Sequence, residues 1–297
     1  MNAVATVGLT KCYGARAALR DLSFHVPAGR LFGFLGPNGA GKTTMLRLLL
    51  GLLRPTRGRA EVLGRDAWRA GPALRAEVGY LSGDVRFYGW LTGRATLAFL
   101  DAARGHRAGD ELPRLVARFD LDLDRRVRDY SRGMKQKLGL IAALMHRPRL
   151  LILDEPTTAL DPLMRAALYD ELRAVVASGR TVLFSSHTLA EVEELCDEVA
   201  ILRAGRLVEQ ERIDVLRARA LRHVELRLRD GAVVPSPPAG FELVDRTGGQ
   251  WRGTWTGAPA PLLAWLAQCP VDDVTIAPPD LDDLFLAYYS DPPAVWA

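Results

Sequence analysis

The sequence predicts an α/β domain built on a mostly parallel sheet, because strand-like and helix-like segments alternate along roughly its first 215 residues. The short apolar runs Leu31–Leu35, Leu150–Leu153 and Thr181–Ser185 have the continuous pattern of strands buried on both faces. Between or after them, Pro162–Val176 and Leu189–Leu195 have the spacing of helices. This alternation favours a parallel sheet flanked by helices.

The pattern also predicts a helical insert in this domain and a smaller domain after it. The stretch Thr92–Tyr130 has helical periodicity, many charges and few β-branched residues, and we place the insert at about residues 85–145. After it, short strands and one short helix are expected at Val224–Leu228, Phe241–Asp245, Gln250–Thr256, Pro261–Ala267 and Val274–Ala277. We therefore expect an α/β domain at 1–218 and a small α+β domain at 219–297.

Composition and charge indicate a globular chain and exclude several kinds of protein. Of 297 residues, 48% are hydrophobic and 25% charged, and the net charge of +4 is too small to predict a nucleic-acid partner. Cys12, Cys196 and Cys269 match no zinc or disulfide spacing. The N-terminus has no leader pattern, and no run reaches the roughly 18 apolar residues that a spanning helix needs. Any membrane role is expected to come through a partner.

A phosphate-binding loop is predicted between the strand Leu31–Leu35 and a helix over Lys42–Leu53. The segment Gly36-Pro37-Asn38-Gly39-Ala40-Gly41-Lys42-Thr43 fits the pattern G-x-x-x-x-G-K-[ST]. Its glycines let main-chain N–H groups point inward, and the dipole of the following helix attracts phosphate oxygens. Lys42 supplies a cation for the β- and γ-phosphates, and the Thr43 hydroxyl is a hard oxygen ligand suited to Mg²⁺.

Two carboxylates end the strand Leu150–Leu153. Asp154 can hold Mg²⁺ near the phosphates, directly or through water. Glu155 is expected to point the other way along the pleat and to polarise an attacking water. The alternative is a strand that ends in solvated acids, and the phosphate loop in the same chain weighs against it.

The most specific motif lies about twenty residues before the acidic strand end. The segment Tyr130-Ser131-Arg132-Gly133-Met134-Lys135-Gln136 is similar to the signature LSGGQ, and with it the sequence resembles the ABC ATPase family. The resemblance implies that Ser131 and the Gly133 amide contact ATP held by a second subunit, at the N-terminus of a helix beginning near Met134. Arg132, Met134 and Lys135 depart from the signature in a form that resembles exporter-type members.

Three more motifs resemble those of the family, in the same order. Tyr13 resembles the aromatic residue that stacks on adenine, with a core or edge tyrosine as the alternative. The segment Ala159-Leu160-Asp161 resembles the family's loop that crosses the dimer interface. His187 resembles the switch histidine that bonds the γ-phosphate. The resemblance covers about residues 2–215. It implies catalytic roles for Lys42, Glu155 and His187, Mg²⁺ ligands at Thr43 and Asp154, and ATP contacts from Tyr13, Gly36, Pro37, Asn38, Gly39, Ala40, Gly41, Lys42, Thr43, Thr44, Ser131, Gly133 and Asp161.

One motif departs from the family pattern. Members have a glutamine after the strand that corresponds to Val78–Leu81, where it joins the Mg²⁺ site to the coupling surface. Gly83 stands at that position here. Because glycine has no ligand atom, Asp84 or a water molecule is the expected substitute.

The resemblance implies an ATP-hydrolysing subunit of an ABC transporter, with ATP and Mg²⁺ as cofactors. It would energise export of a drug, antibiotic or lipid-like substrate through a separate membrane permease, at the cytoplasmic face of the cell membrane. Because the chain has one ATPase unit, two chains, alike or different, are expected to pair. The helical insert is the expected docking surface for the permease, and no nucleic-acid partner is expected.

The alternative is a soluble ABC-type ATPase of translation, repair or signalling that is not coupled to transport. Translation relatives carry two ATPase units in one chain, and this chain has one. Repair relatives insert long coiled coils between the phosphate loop and the signature, and Thr44 to Ser131 leaves no room for one. A signalling complex whose permease transports nothing stays open.

A last amphipathic helix is expected at Leu281–Tyr289, where apolar residues recur at helical spacing. It resembles the closing helix of export-type subunits. Either it packs on its own domain, or it stabilises the dimer and regulates it.

Overall fold

The computed structural model describes residues 1–229 and 234–277, together with residues 281 and 285. The chain divides into two compact units, Met1–Gln210 and Glu211–Ala297. The division lies eight residues before the expected one at 218/219, because the helix Ile213–Arg219 belongs to the second unit. The change in strand pattern that suggested the later boundary begins only after this helix.

The strands of the described residues form three sheets. Their bounds are β1 (Asn2–Tyr13), β2 (Arg16–Leu22), β3 (His25–Pro27), β4 (Leu31–Leu35), β5 (Arg57–Val62), β6 (Arg65–Asp66), β7 (Val78–Leu81), β8 (Leu150–Asp154), β9 (Thr181–Ser186), β10 (Glu198–Arg203), β11 (Arg206–Arg212), β12 (Arg222–Leu228), β13 (Phe241–Thr247), β14 (Gln250–Trp255) and β15 (Val271–Ile276).

Helices are found in the parallel domain, in the region predicted as the insert and in the second unit. Their bounds are α1 (Lys42–Leu49), α2 (Ala67–Arg75), α3 (Gly93–Ala103), α4 (Glu111–Phe119), a 3₁₀ turn (Val127–Asp129), α5 (Arg132–Leu144), α6 (Pro162–Ala177), α7 (Leu189–Leu195), α8 (Ile213–Arg219) and α9 (Pro259–Leu266). In the part of the chain that is described, none of them is long and apolar enough to span a bilayer.

The central sheet confirms the predicted parallel core. Its order is β11-β10-β4-β9-β8-β7, and the five strands from β10 to β7 run parallel. Every residue of β4, β8 and β9 is buried, and α1, α6 and α7 pack against these strands. Because the strands are parallel, the loops that follow them meet at one edge of the sheet.

A second, antiparallel sheet at the N-terminus is not anticipated from the sequence pattern. It has the order β2-β1-β5-β6, with β3 also paired to β1. The pairing of β1 with β2 is irregular around Lys11, so that the regular alternation of a half-buried strand is broken there. Strand β1 of this sheet ends at Tyr13.

Helix α1 ends at Leu49, four residues before the predicted end at Leu53. Gly51 follows with φ of 62°, and a Cβ atom there would lie 2.2 Å from the carbonyl oxygen of Ala67. A glycine in the left-handed conformation after a helix is a common C-terminal stop. The leucine spacing alone could not show this close approach.

Ion pairs attach the insert to the parallel domain. Arg114 of α4 donates to Glu171 of α6 at 2.9 Å and also pairs with Glu111. Arg147 donates to the other oxygen of Glu111 at 2.7 Å. Burial alone would raise the pKa of Glu111, but hydrogen bonds from Arg114 and Arg147 hold that pKa below its usual value. Because both glutamates are buried, loss of Arg114 would leave uncompensated charge.

The second unit contains an antiparallel sheet with the order β13-β14-β12-β15. Its core includes Trp251, Trp255 and Trp265, the last of these on α9. Of the helix expected at Leu281–Tyr289, Leu281 and Phe285 are helical and buried. The remaining residues of that helix lie outside the described part of the chain.

Candidate functional site

The loop between β4 and α1 depends on glycines at two close approaches. Gly41 precedes α1 with φ of 107°, and a Cβ atom there would lie 2.8 Å from the carbonyl oxygen of Ala18. At Gly36 the added atom would lie 2.5 Å from the carbonyl oxygen of Leu202. The loop therefore packs closely against the main chain at Ala18 and Leu202 just before the N-terminus of α1. At this N-terminus, main-chain N–H groups and the helix dipole attract anions.

Lys42, the first residue of α1, lies inside this loop and is 5% exposed. Its Nζ donates hydrogen bonds to the carbonyl oxygens of Gly36 at 2.6 Å and Pro37 at 3.3 Å. The same ammonium group lies 3.4 Å from Oε1 of Glu155. A cation held in this way at a helix N-terminus is suited to bind phosphate oxygens.

Asp154 ends β8 and is 3% exposed. Its Oδ2 accepts a hydrogen bond from Oγ1 of Thr43 at 2.8 Å, and its Oδ1 accepts one from Oγ of Ser185 at 2.7 Å. Ser185 lies opposite Asp154 because β8 and β9 are parallel neighbours in register. Sequence reasoning gives Ser185 no role, although a polar residue ending a buried strand next to β8 is a usable signal.

The oxygen atoms of Thr43 and Asp154 fit a magnesium ion. Mg²⁺ is commonly held by one or two protein oxygens together with phosphates and water. The Thr43 hydroxyl and the Asp154 carboxylate lie within hydrogen-bond distance of each other, so that one cation can contact both. The second Asp154 oxygen is fixed by Ser185, which orients the carboxylate toward Thr43.

Glu155 follows Asp154 in a left-handed conformation, with φ of 49°. The prediction that its side chain continues the pleat is wrong, because the backbone leaves the extended conformation at this residue. Oε1 of Glu155 lies 3.4 Å from Nζ of Lys42, and Oε2 lies 3.3 Å from Nδ1 of His187. Both carboxylates therefore reach the phosphate loop, Asp154 through Thr43 and Glu155 through Lys42.

Gln136 is a second residue to which sequence reasoning gives no role. It is buried in α5, and its Nε2 donates to the carbonyl oxygen of Pro156 at 2.9 Å. This bond connects the signature helix to the turn that follows Glu155. The position of this amide at the end of the signature-like segment is the signal that could identify it.

A pocket of about 620 Å³ opens beside these groups. This volume is in the range of pockets that hold small organic ligands. Tyr13 contributes an aromatic wall and is 49% exposed, so it is not a core tyrosine. The predicted residues that line the pocket are Tyr13, Asn38, Gly39, Gly41, Lys42, Thr43, Thr44 and Glu155.

Ser131, Gly133 and Asp161 do not line this pocket. Oγ of Ser131 accepts a hydrogen bond from the main-chain N–H of Met134 at 3.2 Å, so Ser131 caps α5, which begins at Arg132. Oδ1 of Asp161 caps α6 by accepting from the main-chain N–H of a residue in its first turn, at 2.9 Å. The structure therefore brings the phosphate-loop and acidic-strand residues together at this pocket, whereas the signature and interface residues lie outside it.

The signature and the interface loop lie next to each other. A Cβ atom on Gly133 would lie 2.8 Å from the carbonyl oxygen of Ala159. Ala159 itself has φ of 68°, so the chain turns sharply before Asp161. A side chain at position 133 would push these two segments apart.

Gly83 lies beside Asp154 after the end of β7. A Cβ atom there would lie 3.6 Å from Oδ2 of Asp154, an ordinary contact distance. Asp84, one expected substitute for the missing glutamine, points elsewhere, because its carboxylate is exposed and pairs with Arg86 at 2.7 Å. Burial is the main cause that raises the pKa of Tyr80, and the negative charge of nearby Asp154 raises it further. Tyr80 therefore stays neutral beside the site.

The family of the chain follows from comparisons with known proteins. Residues 19–158 match the family described as ABC transporter. The daunorubicin resistance ATP-binding protein DrrA3 of Streptomyces coeruleorubidus is 42% identical over 73% of this chain and 70% of its own length. The Nod factor export ATP-binding protein I of Rhizobium leguminosarum bv. viciae is 40% identical over 71% of this chain and 69% of its own length.

A solved structure shows the same fold. The ATP-binding subunit of an ABC transporter superposes with a TM-score of 0.68 at 32% identity, covering 72% of this chain and 91% of the other. The chain belongs to the family of ATP-binding subunits of ABC transporters.

Proposed function

We propose that the pocket binds MgATP and that these particular residues cleave its γ-phosphate. The observation that carries the proposal is the convergence of Lys42, Thr43, Asp154 and Glu155 beside one glycine-rich loop. The N–H groups of the loop and Lys42 hold the β- and γ-phosphates and compensate their charge. Tyr13 stacks on the adenine, and a stacked base contributes roughly 1–3 kcal/mol.

The residues at and around the acidic strand end have different roles in this proposal. Thr43 and Asp154 hold the magnesium ion, which when bound stabilises charge on the transferred phosphoryl group. Glu155 orients the attacking water and accepts its proton. His187, 3.3 Å from the Glu155 carboxylate, donates to the γ-phosphate from the side of the attacking water.

Two chains complete each site in this proposal. The Ser131 side chain and the Gly133 amide of one chain reach the γ-phosphate held by the phosphate loop of another. This is supported by their absence from the pocket of their own chain. The first turn of α5 presents N–H groups to an anion there. Asp161 belongs to the surface that the two chains share. ATP closes the pair, and hydrolysis with product release reopens it.

The pair energises export through a separate membrane permease, at the cytoplasmic face of the membrane. The named relatives are a resistance protein and an export protein, which supports this direction and a drug, antibiotic or lipid-like substrate. At the start of the insert, Tyr88 and Trp90 form an exposed ring pair with centroids 4.7 Å apart. Exposed aromatic pairs mark protein contact surfaces, so we place the permease contact there.

The alternative of an ABC-type ATPase that serves translation, repair or signalling is not favoured. The relatives act in resistance and export. For the second unit, Glu211–Ala297, we propose an accessory, regulatory role. It folds around its own tryptophan-rich core, and the pocket residues all belong to the first unit.

The test is purification of the tagged chain from native membranes, followed by identification of the proteins that accompany it. We expect a polytopic membrane protein in stoichiometric amount, and the double replacement Tyr88→Ala with Trp90→Ala should release it. The replacement Leu243→Ala in the second unit, also at an exposed apolar residue, is the control. Recovery of ribosomes or DNA in place of a membrane protein would contradict the transport role and leave the ATPase chemistry intact.

A further inference from the structure

Lys11, one of four lysines in the chain, lies beside the proposed stacking residue Tyr13. The two residues are two apart in β1, at the place where its pairing with β2 is irregular. Nζ of Lys11 lies 5.3 Å from the centroid of the Tyr13 ring. This separation is within the range of an attractive cation–π contact.

A hydrogen bond from outside β1 holds the ammonium group. Nζ of Lys11 donates to the carbonyl oxygen of Arg54 at 2.9 Å. The segment that contains Arg54 is itself attached to β1, because the N–H of Thr56 donates to the carbonyl oxygen of Thr10 at 2.8 Å. The N–H of Cys12 donates in turn to Oγ1 of Thr56 at 3.0 Å. The ammonium group of Lys11 is therefore held by a segment that is itself hydrogen-bonded to β1.

We propose that Lys11 is a positioning residue that holds the Tyr13 ring as a stacking surface for a purine base. The inference rests on the proposed ATP site. An ammonium over one face of the ring leaves the opposite face for the base, and a half-exposed tyrosine without such a contact has freedom to rotate. Lys11 thus acts on the base through the ring.

The geometry also separates this role from a direct role in phosphate binding. Tyr13 lines the pocket, whereas Lys11 does not. The phosphate loop already has its own buried ammonium group, that of Lys42. A residue that acts through the ring must affect ligands that carry a base and leave base-free polyphosphates unchanged. This difference is the signature that the experiment uses.

The test is calorimetric titration of the full chain and its Lys11→Met variant with MgATP and with magnesium tripolyphosphate. Methionine keeps the length of the stem and removes both the charge and the donor. We expect ATP affinity to fall about two- to fivefold, the size of an exposed cation–π contact. Tripolyphosphate affinity should not change. Lys11→Arg keeps a cation and should retain ATP affinity.

A matched control and a double variant complete the design. Lys137→Met removes a lysine whose Nζ donates to the carbonyl oxygen of Asp120 at 3.4 Å, and it should alter neither affinity. If Lys11 acts through the ring, adding Lys11→Met to Tyr13→Ala should cause no further loss. Where Lys11→Met lowers the melting temperature, Lys11→Gln serves as the second variant.

Three results would overturn the inference. They are equal weakening of both ligands, an unchanged ATP affinity in Lys11→Met, and a further loss in the double variant. Failure of the unaltered chain to bind MgATP would instead contradict the proposed function. The two failures are therefore distinguishable.

Discussion

In the phosphate-loop half of the site the expected residues contact one another, whereas in the signature half they cap their own helices. Thr43 bonds Asp154, and Lys42 lies beside Glu155, all within one chain. The side-chain oxygens of Ser131 and Asp161 accept hydrogen bonds from main-chain N–H groups in the first turns of α5 and α6. One half is fixed by buried side-chain contacts, and the other half presents helix ends at the surface.

This difference indicates which functions depend on one chain and which on two. Groups that already contact each other need no partner to be positioned, so nucleotide binding is expected of a single chain. Groups that contact no ligand site in their own chain can act only where another chain meets them. Replacements in the two halves should therefore separate binding from turnover.

The largest expected effect is on turnover in Glu155→Gln. Loss of the group that accepts the proton of water should lower kcat on the order of 10²–10⁴-fold. ATP affinity should persist, because glutamine keeps the size of the side chain. Steady-state phosphate release and calorimetry measure the two quantities, with Glu194→Gln as the surface control. Turnover within a few-fold of the unaltered chain would show that another residue is the base.

The second-largest expected effect is on stability, and it concerns a buried histidine that follows α5. His146 follows α5 and is 6% exposed. Burial is the main cause that lowers the pKa of His146, and the positive charge of Arg104 lowers it further, to about 4. Between about pH 6.5 and 4 the unfolded chain binds a proton there that the folded chain does not, so stability falls as pH falls through this window.

The loss attributable to this histidine is about 3 kcal/mol at the acidic end of the window. Urea unfolding of the chain and of His146→Asn at pH 7 and near pH 4 measures it. The variant should lose less stability on acidification than the unaltered chain does. His25→Asn, at an exposed histidine, is the control. An identical pH dependence in both chains would contradict the prediction.

The third effect is on binding in Lys42→Ala. A charge-assisted hydrogen bond contributes about 1.5–3 kcal/mol, so ATP affinity should fall roughly tenfold to a hundredfold. Calorimetry with MgATP measures the change, and Lys137→Ala is the matched lysine control. An unchanged Kd would contradict the assignment of the phosphate loop.

The smallest effect is expected for Ser131→Ala in the signature half. Loss of the hydroxyl should lower turnover about five- to tenfold, the size of one lost hydrogen bond of about 1 kcal/mol. Ser131→Thr should preserve most of the activity, since threonine also caps helices. ATP binding by the single chain should not change. Lost binding by the single chain would place Ser131 in the pocket of its own chain and would remove the contrast between the halves.

Sequence reasoning predicts most of the parallel domain, because its signals are local. The apolar runs of β4, β8 and β9 and the helix α7 are found within one residue of their predicted ends. It does not predict the antiparallel sheet, whose first strand is irregular around Lys11. A broken alternation carries no clear strand signal.

At the candidate site, sequence reasoning names residues that the structure brings close together, and it misses some of their contacts. Glu155 is expected on a pleat and lies in a left-handed turn. Ser185 and Gln136 receive no role and bond the acidic segment. Asp84 is one of the two expected substitutes for the missing glutamine, the other being water, and its carboxylate pairs with Arg86 at the surface. Each difference depends on a neighbour far away in sequence or on a single backbone angle.

The sequence by itself determined the order of the motifs, the phosphate loop and the parallel core, because glycines, apolar runs and the G-K-T triplet impose their geometry locally. Only the tertiary structure decided that Ser185 orients Asp154, that Glu155 lies between Lys42 and His187, and that Lys11 faces Tyr13 while bonded to Arg54. These contacts are set by strand register, by a turn at a strand end and by packing between distant segments. No local pattern encodes them.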